Sequence, residues 1–204
     1  MSQIVPTTKT ADDHDAVGTL FVVTGPSGAG KDSVIDRSRE LGLQFASVIT
    51  TTSRAMRPGE GEGQPYHFVT QDEFERRVER NEMIEWATVY GNYYGSAKED
   101  VEKAVRDHSV VLMKVDPQGA RTLKDMRPDA VVIFIAPPSI EYLRKRLEGR
   151  ATDAPEIIEQ RLAVAKSELE NLDQWDVVIQ NNEGALDDAA QTLIHTIETR
   201  SQKK

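Results

Sequence analysis

The stretch Leu20-Phe-Val-Val-Thr-Gly25-Pro-Ser-Gly28-Ala-Gly30-Lys31-Asp32-Ser33 decides how the chain is read. An apolar run breaks into a glycine-rich turn, then a lysine, then residues that open a helix. That is the layout of a phosphate-binding loop. The glycines let successive backbone N–H groups turn inward on a polyphosphate, which then lies at a helix N-terminus with its favourable dipole. Lys31 is placed to reach the outer phosphates as a mobile cation. The motif calls for Ser or Thr directly after the lysine, as a hydroxyl ligand for magnesium. Here Asp32 holds that place and Ser33 comes one later, so the metal end of the loop is altered. A glycine-rich turn alone is a weak signal, since glycine is the default in any tight turn. The strand-like run before it and the Gly-Lys pair after it make the signal specific.

Composition narrows the remaining choices. The chain has 204 residues, 38% of them hydrophobic, enough for one large domain or a core with a small insertion. No apolar run approaches the length of a membrane span. Met1 to Gly18 is polar and acidic, without the basic start and apolar centre of a secretory signal, and is expected to be a disordered leader. There is no cysteine, which excludes disulfides and Cys-based metal sites and fits an intracellular protein. The four histidines are scattered and read as surface or structural residues. A net charge of −9 argues against general nucleic-acid binding, so the positive contacts for any anionic substrate must be local.

Four apolar runs, Thr19–Thr24, Ser109–Val115, Val131–Ala136 and Asp176–Gln180, read as strands buried on both faces of a parallel sheet. Helical periodicity fills Ser139–Arg150, with Ser139 as N-cap, and then Pro155–Asn171 and Leu186–Ile197. Asp153 with Glu156 suggests a capping-box start for the second of these. The alternation predicts an α/β fold with right-handed crossovers. From about Thr51 to Gly95 the rhythm breaks into Pro-Gly turns, an alternating Tyr66–Thr70 segment, a short helix near Gln71–Arg80 and a mixed run Met83–Tyr90. This is the pattern of a small inserted β-rich lobe.

Two basic groups stand out. Arg54 and Arg57 lie in the lobe near Tyr66, Tyr90, Tyr93 and Tyr94, and guanidinium forks with phenol hydroxyls are good phosphate ligands. Arg146 and Arg150 share a helix face, and Arg161 follows after Ala151-Thr-Asp-Ala-Pro155, as in a flap hinged between two helices. Taken alone, either group also fits solvated surface charge.

The motifs together resemble the guanylate kinases, from Leu20 to about Thr199. The matching pieces are Gly25–Lys31, Thr51-Thr-Ser-Arg54-Ala-Met-Arg57-Pro-Gly-Glu60, Tyr66-His-Phe-Val, Ile84-Glu85-Trp-Ala and Tyr90-Gly-Asn-Tyr-Tyr94-Gly-Ser96. They continue with Val115-Asp116-Pro-Gln-Gly119, Ile135-Ala-Pro-Pro-Ser139 and Arg146-Leu-Glu-Gly-Arg150. So many motifs in one order are far more specific than any one of them. The resemblance implies a P-loop three-layer fold with a central parallel sheet. The core would span 19–50 and 97–204, the GMP-binding lobe 51–96, and a helical lid about 146–165. It implies transfer of the ATP γ-phosphoryl group to GMP, and to dGMP, with Mg²⁺ as cofactor.

Residue by residue, the resemblance puts ATP on Gly25, Pro26, Ser27, Gly28, Ala29, Gly30, Lys31, Asp32, Ser33 and Asn181. The GMP phosphate falls to Arg54, Arg57, Tyr66 and Tyr94, with Glu60 and Asp116 also on the GMP side. Glu85 would accept from guanine N1–H and the 2-amino group, with Thr50 and Ser96 nearby. Lys31, Arg54, Arg146, Arg150 and Arg161 would carry catalysis by positioning and charge. The implied partners are small molecules, with no nucleic acid and no membrane, in a cytoplasmic monomer or homodimer.

Two positions depart from the family pattern. Asp32 replaces the hydroxyl residue after the loop lysine, and Lys114 stands where the family has the first of two aspartates at a strand end. We expect these changes to compensate, with Asp32 helping to hold Mg²⁺, directly or through water, and Lys114 pairing with Asp32 or contacting phosphate. Two rival readings remain distinguishable. Gly-Lys-Asp-Ser also resembles ribose 1,5-bisphosphate phosphokinase, a reading that conflicts with Glu85, Ser96 and the Arg54/Arg57 pair. A catalytically retired scaffold domain conflicts with Lys31 and the three lid arginines.

Overall fold

The computed structural model describes residues 18–89, 91–149 and 154–201, so the expected leader before Gly18, together with Tyr90, Arg150 and Asp153, lies outside the described residues. Along the chain run β1 (Thr19–Thr24), α1 (Lys31–Glu40), β2 (Ala46–Ser47), β3 (Thr50–Thr52), β4 (Gly61–Glu62), β5 (Pro65–Phe68), α2 (Gln71–Glu79), β6 (Met83–Val89) and β7 (Asn92–Ala97). There follow α3 (Lys98–Asp107), β8 (Val110–Lys114), α4 (Pro117–Met126), β9 (Val131–Ala136), α5 (Ile140–Gly149), α6 (Pro155–Leu169), β10 (Val177–Gln180) and α7 (Leu186–Ser201).

Continuous apolar strands demand cover on both faces, and the structure provides it. Five parallel strands lie in the order β10-β9-β1-β8-β2. Alternation along each strand sends Leu20, Val22, Val111, Met113, Val132 and Phe134 into one core, closed by Val101 and Val105 of α3 and Ala120 and Leu123 of α4. The opposite set, including Phe21, Val23, Leu112, Ile133 and Ile135, packs on Val34 and Ile35 of α1 and Ala189, Leu193 and Ile197 of α7. The result is three layers, as the family resemblance implies. Four of the five strands are the four apolar runs. The fifth, β2, is only two residues paired to the edge of β8, too short to leave a periodic signal. Among the described residues no helix is long and apolar enough to cross a membrane.

The stretch without helical rhythm forms a second sheet, ordered β4-β5-β3-β7-β6. β7 is antiparallel to both β3 and β6. Phe74 of α2 stacks on Tyr93 at 5.1 Å, and Trp86 meets the same ring edge-on at 5.7 Å. Aromatic contacts thus join the buried Met83 and Ile84 of β6 in holding this small layer.

The third unit is the α5–α6 hairpin. Ser139 caps α5 as expected, its Oγ accepting from the Tyr142 backbone N–H at 3.1 Å. Ala154, which makes no side-chain capping bond, is the N-cap of α6, with Pro155 in the first turn, where its missing N–H costs nothing. Leu143, Leu147, Ile158, Leu162 and Ala165 form a core of their own. Such a small cluster opens more easily than the main sheet. Leu147→Ala is expected to remove about 2–5 kcal/mol of packing from it. Amide exchange in α5 and α6 should then accelerate while β1 and β9 keep their protection. Equal loss of protection in the central strands would show that the hairpin is not a separate unit.

Candidate active site

Strand β1 ends at Thr24 and α1 begins at Lys31, and the loop between them turns through three glycines with positive φ, Gly25, Gly28 and Gly30. At Gly25, with φ 136°, a Cβ would lie 2.3 Å from the Ile135 carbonyl oxygen, so only glycine lets the loop leave the sheet here. At Gly30, with φ 90°, a Cβ would meet Asn181 Nδ2 at 2.4 Å. The loop is held from behind. Asn181, 1% exposed, donates from Nδ2 to the Ala29 carbonyl at 2.8 Å. Arg146 Nη1 donates to the same carbonyl at 3.0 Å, and its guanidinium lies over the Tyr142 ring at 4.5 Å.

Lys31 folds back over the loop, donating from Nζ to the carbonyls of Gly25 at 2.6 Å and Pro26 at 3.1 Å. Burial, reinforced by the neighbouring Lys114 ammonium, pushes its pKa down to about 8. A phosphate in the loop would oppose both effects. A cavity of about 610 Å³ opens in front, bounded by Gly25–Gly28, Gly30–Ser33, Lys114, Asp116 and one face of α6. From α6, Arg161 Nη1 donates to Ser27 Oγ at 3.1 Å. Seven residues further on, Glu168 also borders this cavity, and its buried Oε2 has no hydrogen-bond partner among the described residues. Burial holds this carboxyl above the ordinary range. Lys114 Nζ donates to Asp32 Oδ1 across the cavity wall, forming the pairing expected from the two departures.

In the connection between β3 and β4, Arg54 grips Glu60 with one nitrogen, Nη2 lying 2.8 and 2.9 Å from the two carboxylate oxygens. Glu60 also accepts from the Arg57 backbone N–H at 2.7 Å. These contacts hold the Glu60 carboxyl below its usual range, with Arg54 the larger cause. Glu60 therefore shapes the arginine loop. Tyr66 lies within 5.6 Å of the Arg54 guanidinium and meets Tyr94 edge-to-face at 5.8 Å. Arg54, Tyr66 and Tyr94 form one cluster, and the exposed Arg57 flanks it.

Glu85 on β6 lies opposite Ser96 on β7 and is 8% exposed. Burial pushes its pKa up to about 7, only partly offset by hydrogen bonds from the Ser96 hydroxyl and backbone amide. A Cβ at Gly119 would come within 3.1 Å of Glu85 Oε2, so the glycine leaves room beside the carboxylate. Glu85 borders a second cavity, of about 580 Å³, with Ile84, Thr88, Gly119 and Asp116. Asp116 borders both cavities and caps α4, its Oδ1 accepting from the Gly119 N–H at 2.8 Å. Thr50 enters β3 opposite Tyr66 in the register. Strand β7 joins the arginine–tyrosine cluster to Glu85, with Tyr94 and Ser96 two residues apart on one face. Sequence reasoning overlooked Glu168, although its spacing from Arg161 places both on one stripe of α6.

The arrangement offers a phosphate cradle rich in cations, a second arginine-based anion site, and a buried carboxylate suited to a planar donor pair. A profile described as guanylate kinase matches residues 17–200. The guanylate kinase of Dechloromonas aromatica is 42% identical over 173 residues, covering 84% of this chain and 86% of that protein. That of Fusobacterium nucleatum is 44% identical over 184 residues, covering 90% and 97%. The crystal structure of guanylate kinase from Anaplasma phagocytophilum superimposes with a TM-score of 0.68 at 31% identity, covering 92% of this chain and 88% of that one. The Thermus thermophilus protein TT1252, at 14% identity and a TM-score of 0.51, shares the fold alone. With its loop, its sheet order and its sequence in agreement, the chain belongs to the guanylate kinase family.

Proposed function

We propose that the protein transfers the γ-phosphoryl group of ATP to GMP, and to dGMP, yielding ADP and GDP or dGDP, in the cytoplasm where both substrates are found. The observation that carries this reading is the buried Glu85 carboxylate across Asp116 from a phosphate loop. In this reading an oxygen of the GMP phosphate attacks the γ-phosphorus and the bond to the β–γ bridging oxygen breaks. The nucleophile is already anionic, so the protein's work is positioning and charge stabilisation. Lys31 and the loop amides hold the triphosphate. Arg161 approaches from α6, and Arg150 belongs to the same group by the family resemblance. Arg146 and Asn181 fix the loop beneath the phosphates. Arg54, Arg57, Tyr66 and Tyr94 hold the GMP phosphate, with Glu60 orienting Arg54. Glu85 accepts from guanine N1–H and the 2-amino group, aided by Thr50 and Ser96. Adenine has no N1–H and would leave this carboxylate unpaired, a costly mismatch in a buried site.

Mg²⁺ fits the residues present. Asp32, Ser33, Asp116 and Glu168 bring only oxygen ligands to the phosphate cavity, and Glu168 Oε2 has no partner among the described residues. When bound, the ion would neutralise phosphate charge. Asp32 or Ser33 would hold it directly or through water, with Glu168 accepting from its hydration shell. The segment 51–96 and the hairpin about 146–165 act as lobe and lid over the core 19–50 and 97–204, excluding water. ADP formation with MgATP should be rapid with GMP and slight with AMP or UMP. Turnover confined to ribose 1,5-bisphosphate would overturn the reading.

Three further outcomes follow from the same residues. Guanine needs Glu85 ionised, so base affinity should fall as pH drops below about 7, approaching tenfold per unit. Inhibition by guanosine, which lacks a titrating phosphate, isolates that slope; a flat profile from pH 5 to 8 would contradict it. Because the folded-state pKa of Glu85 is raised, the neutral carboxyl is favoured by the fold. Stability therefore declines as pH rises from about 4.5 through about 7. Glu85→Gln should gain about 2–3 kcal/mol at pH 8 in urea unfolding while losing GMP selectivity. Asn181→Ala should raise the ATP KM about tenfold by freeing one of the bonds to Ala29, worth roughly 1–2 kcal/mol.

A further inference from the structure

The cavity before the loop contains a second ammonium group. Lys114 ends β8, and its register partner is Val23, two residues before Gly25. It lines the same cavity as Lys31 and Arg161. Its side chain donates to Asp32, the first residue after the loop lysine. Asp32 lies in the first turn of α1, where the helix dipole welcomes an anion. The carboxylate therefore gives Lys114 the contact that a phosphate oxygen in the cavity would give. The pair faces solvent, with 46% of the Lys114 and 73% of the Asp32 side chain exposed. Exposed ion pairs are weak and easily exchanged. A polyphosphate presents several negative charges to a lysine held by one.

Resting on the kinase reading above, we propose that Lys114 is a second phosphate-binding lysine, held by Asp32 until nucleotide binds and then transferred to its polyphosphate. The exchange releases Asp32, whose oxygens then serve the magnesium end of the site. The altered loop residue and the altered strand-end residue thus form one device. Their charges cancel while they are paired and separate when phosphate takes the lysine. The chain consequently retains more nucleotide affinity without metal than Lys31 alone would give.

Calorimetric titration of ADP in EDTA, with a parallel series in Mg²⁺, tests this. Lys114→Met should weaken metal-free ADP binding about tenfold, and more in an Asp32→Ser background, where Lys114 is no longer held. Asp32→Ser alone should strengthen metal-free binding several-fold and shrink the gain produced by Mg²⁺. Melting curves establish that each variant is folded, and Lys114→Gln provides a second replacement. If metal-free ADP affinity stays within twofold on removing Lys114 in both backgrounds, the pair is merely a rim contact and the proposal is wrong. Undetectable metal-free binding by both wild type and Asp32→Ser would overturn it equally. Turnover of GMP by the wild type reports separately on the kinase reading. Wild type that turns over GMP while Lys114 variants bind normally sinks this proposal alone.

Discussion

One carbonyl oxygen anchors the site. Ala29 accepts from Asn181 after β10 and from Arg146 on α5, while its own N–H donates to Pro26. The loop is thereby tied to the strand at one edge of the sheet and to the helical hairpin. Glycine permits the turn, but these donors choose its shape among those glycine allows. Gly25 against the Ile135 carbonyl and Gly30 against Asn181 show how little space remains beneath the loop. A phosphate cradle must be formed before the phosphate arrives, or binding would bear the cost of ordering it. Here the order comes from buried polar groups behind the loop.

Glu85 shows the opposite economy. A carboxylate sunk among β6, β7 and α4 weakens the fold at neutral pH, because burial favours its protonated form. Nothing in the apolar packing requires an acid there. The loss of stability makes sense if the carboxylate is kept for recognition. Stability and specificity then pull in opposite directions at one residue.

Much of this was legible in the sequence. β1 and β9 coincide with their apolar runs because strands covered on both faces leave continuous hydrophobic text. The loop and Ser139 were equally plain, since glycine and capping residues act locally. β2 escaped notice because two edge residues have no period. The resemblance names Asn181 on the ATP side but not its partner, which in the fold is the Ala29 carbonyl. Chain order does not reveal which side of a loop a distant amide reaches. Arg54 was visible as a cation, but Glu60's hold on it depends on a turn that only folding creates. Glu168 was hidden by the ordinary look of a charged residue on a helix.

Arg161 and Glu168 sit two helical turns apart, about 10 Å along a rod that bends little. One touches the loop at Ser27 and the other faces the Lys31 end of the cavity. A rigid rod cannot deliver one without the other. If α6 closes over the site, the cation that would steady a transferring group and the carboxylate that would order its hydration would arrive together. On the function proposed above, the shared helix would couple the two contacts, so that neither residue would reach the phosphate cavity without the other.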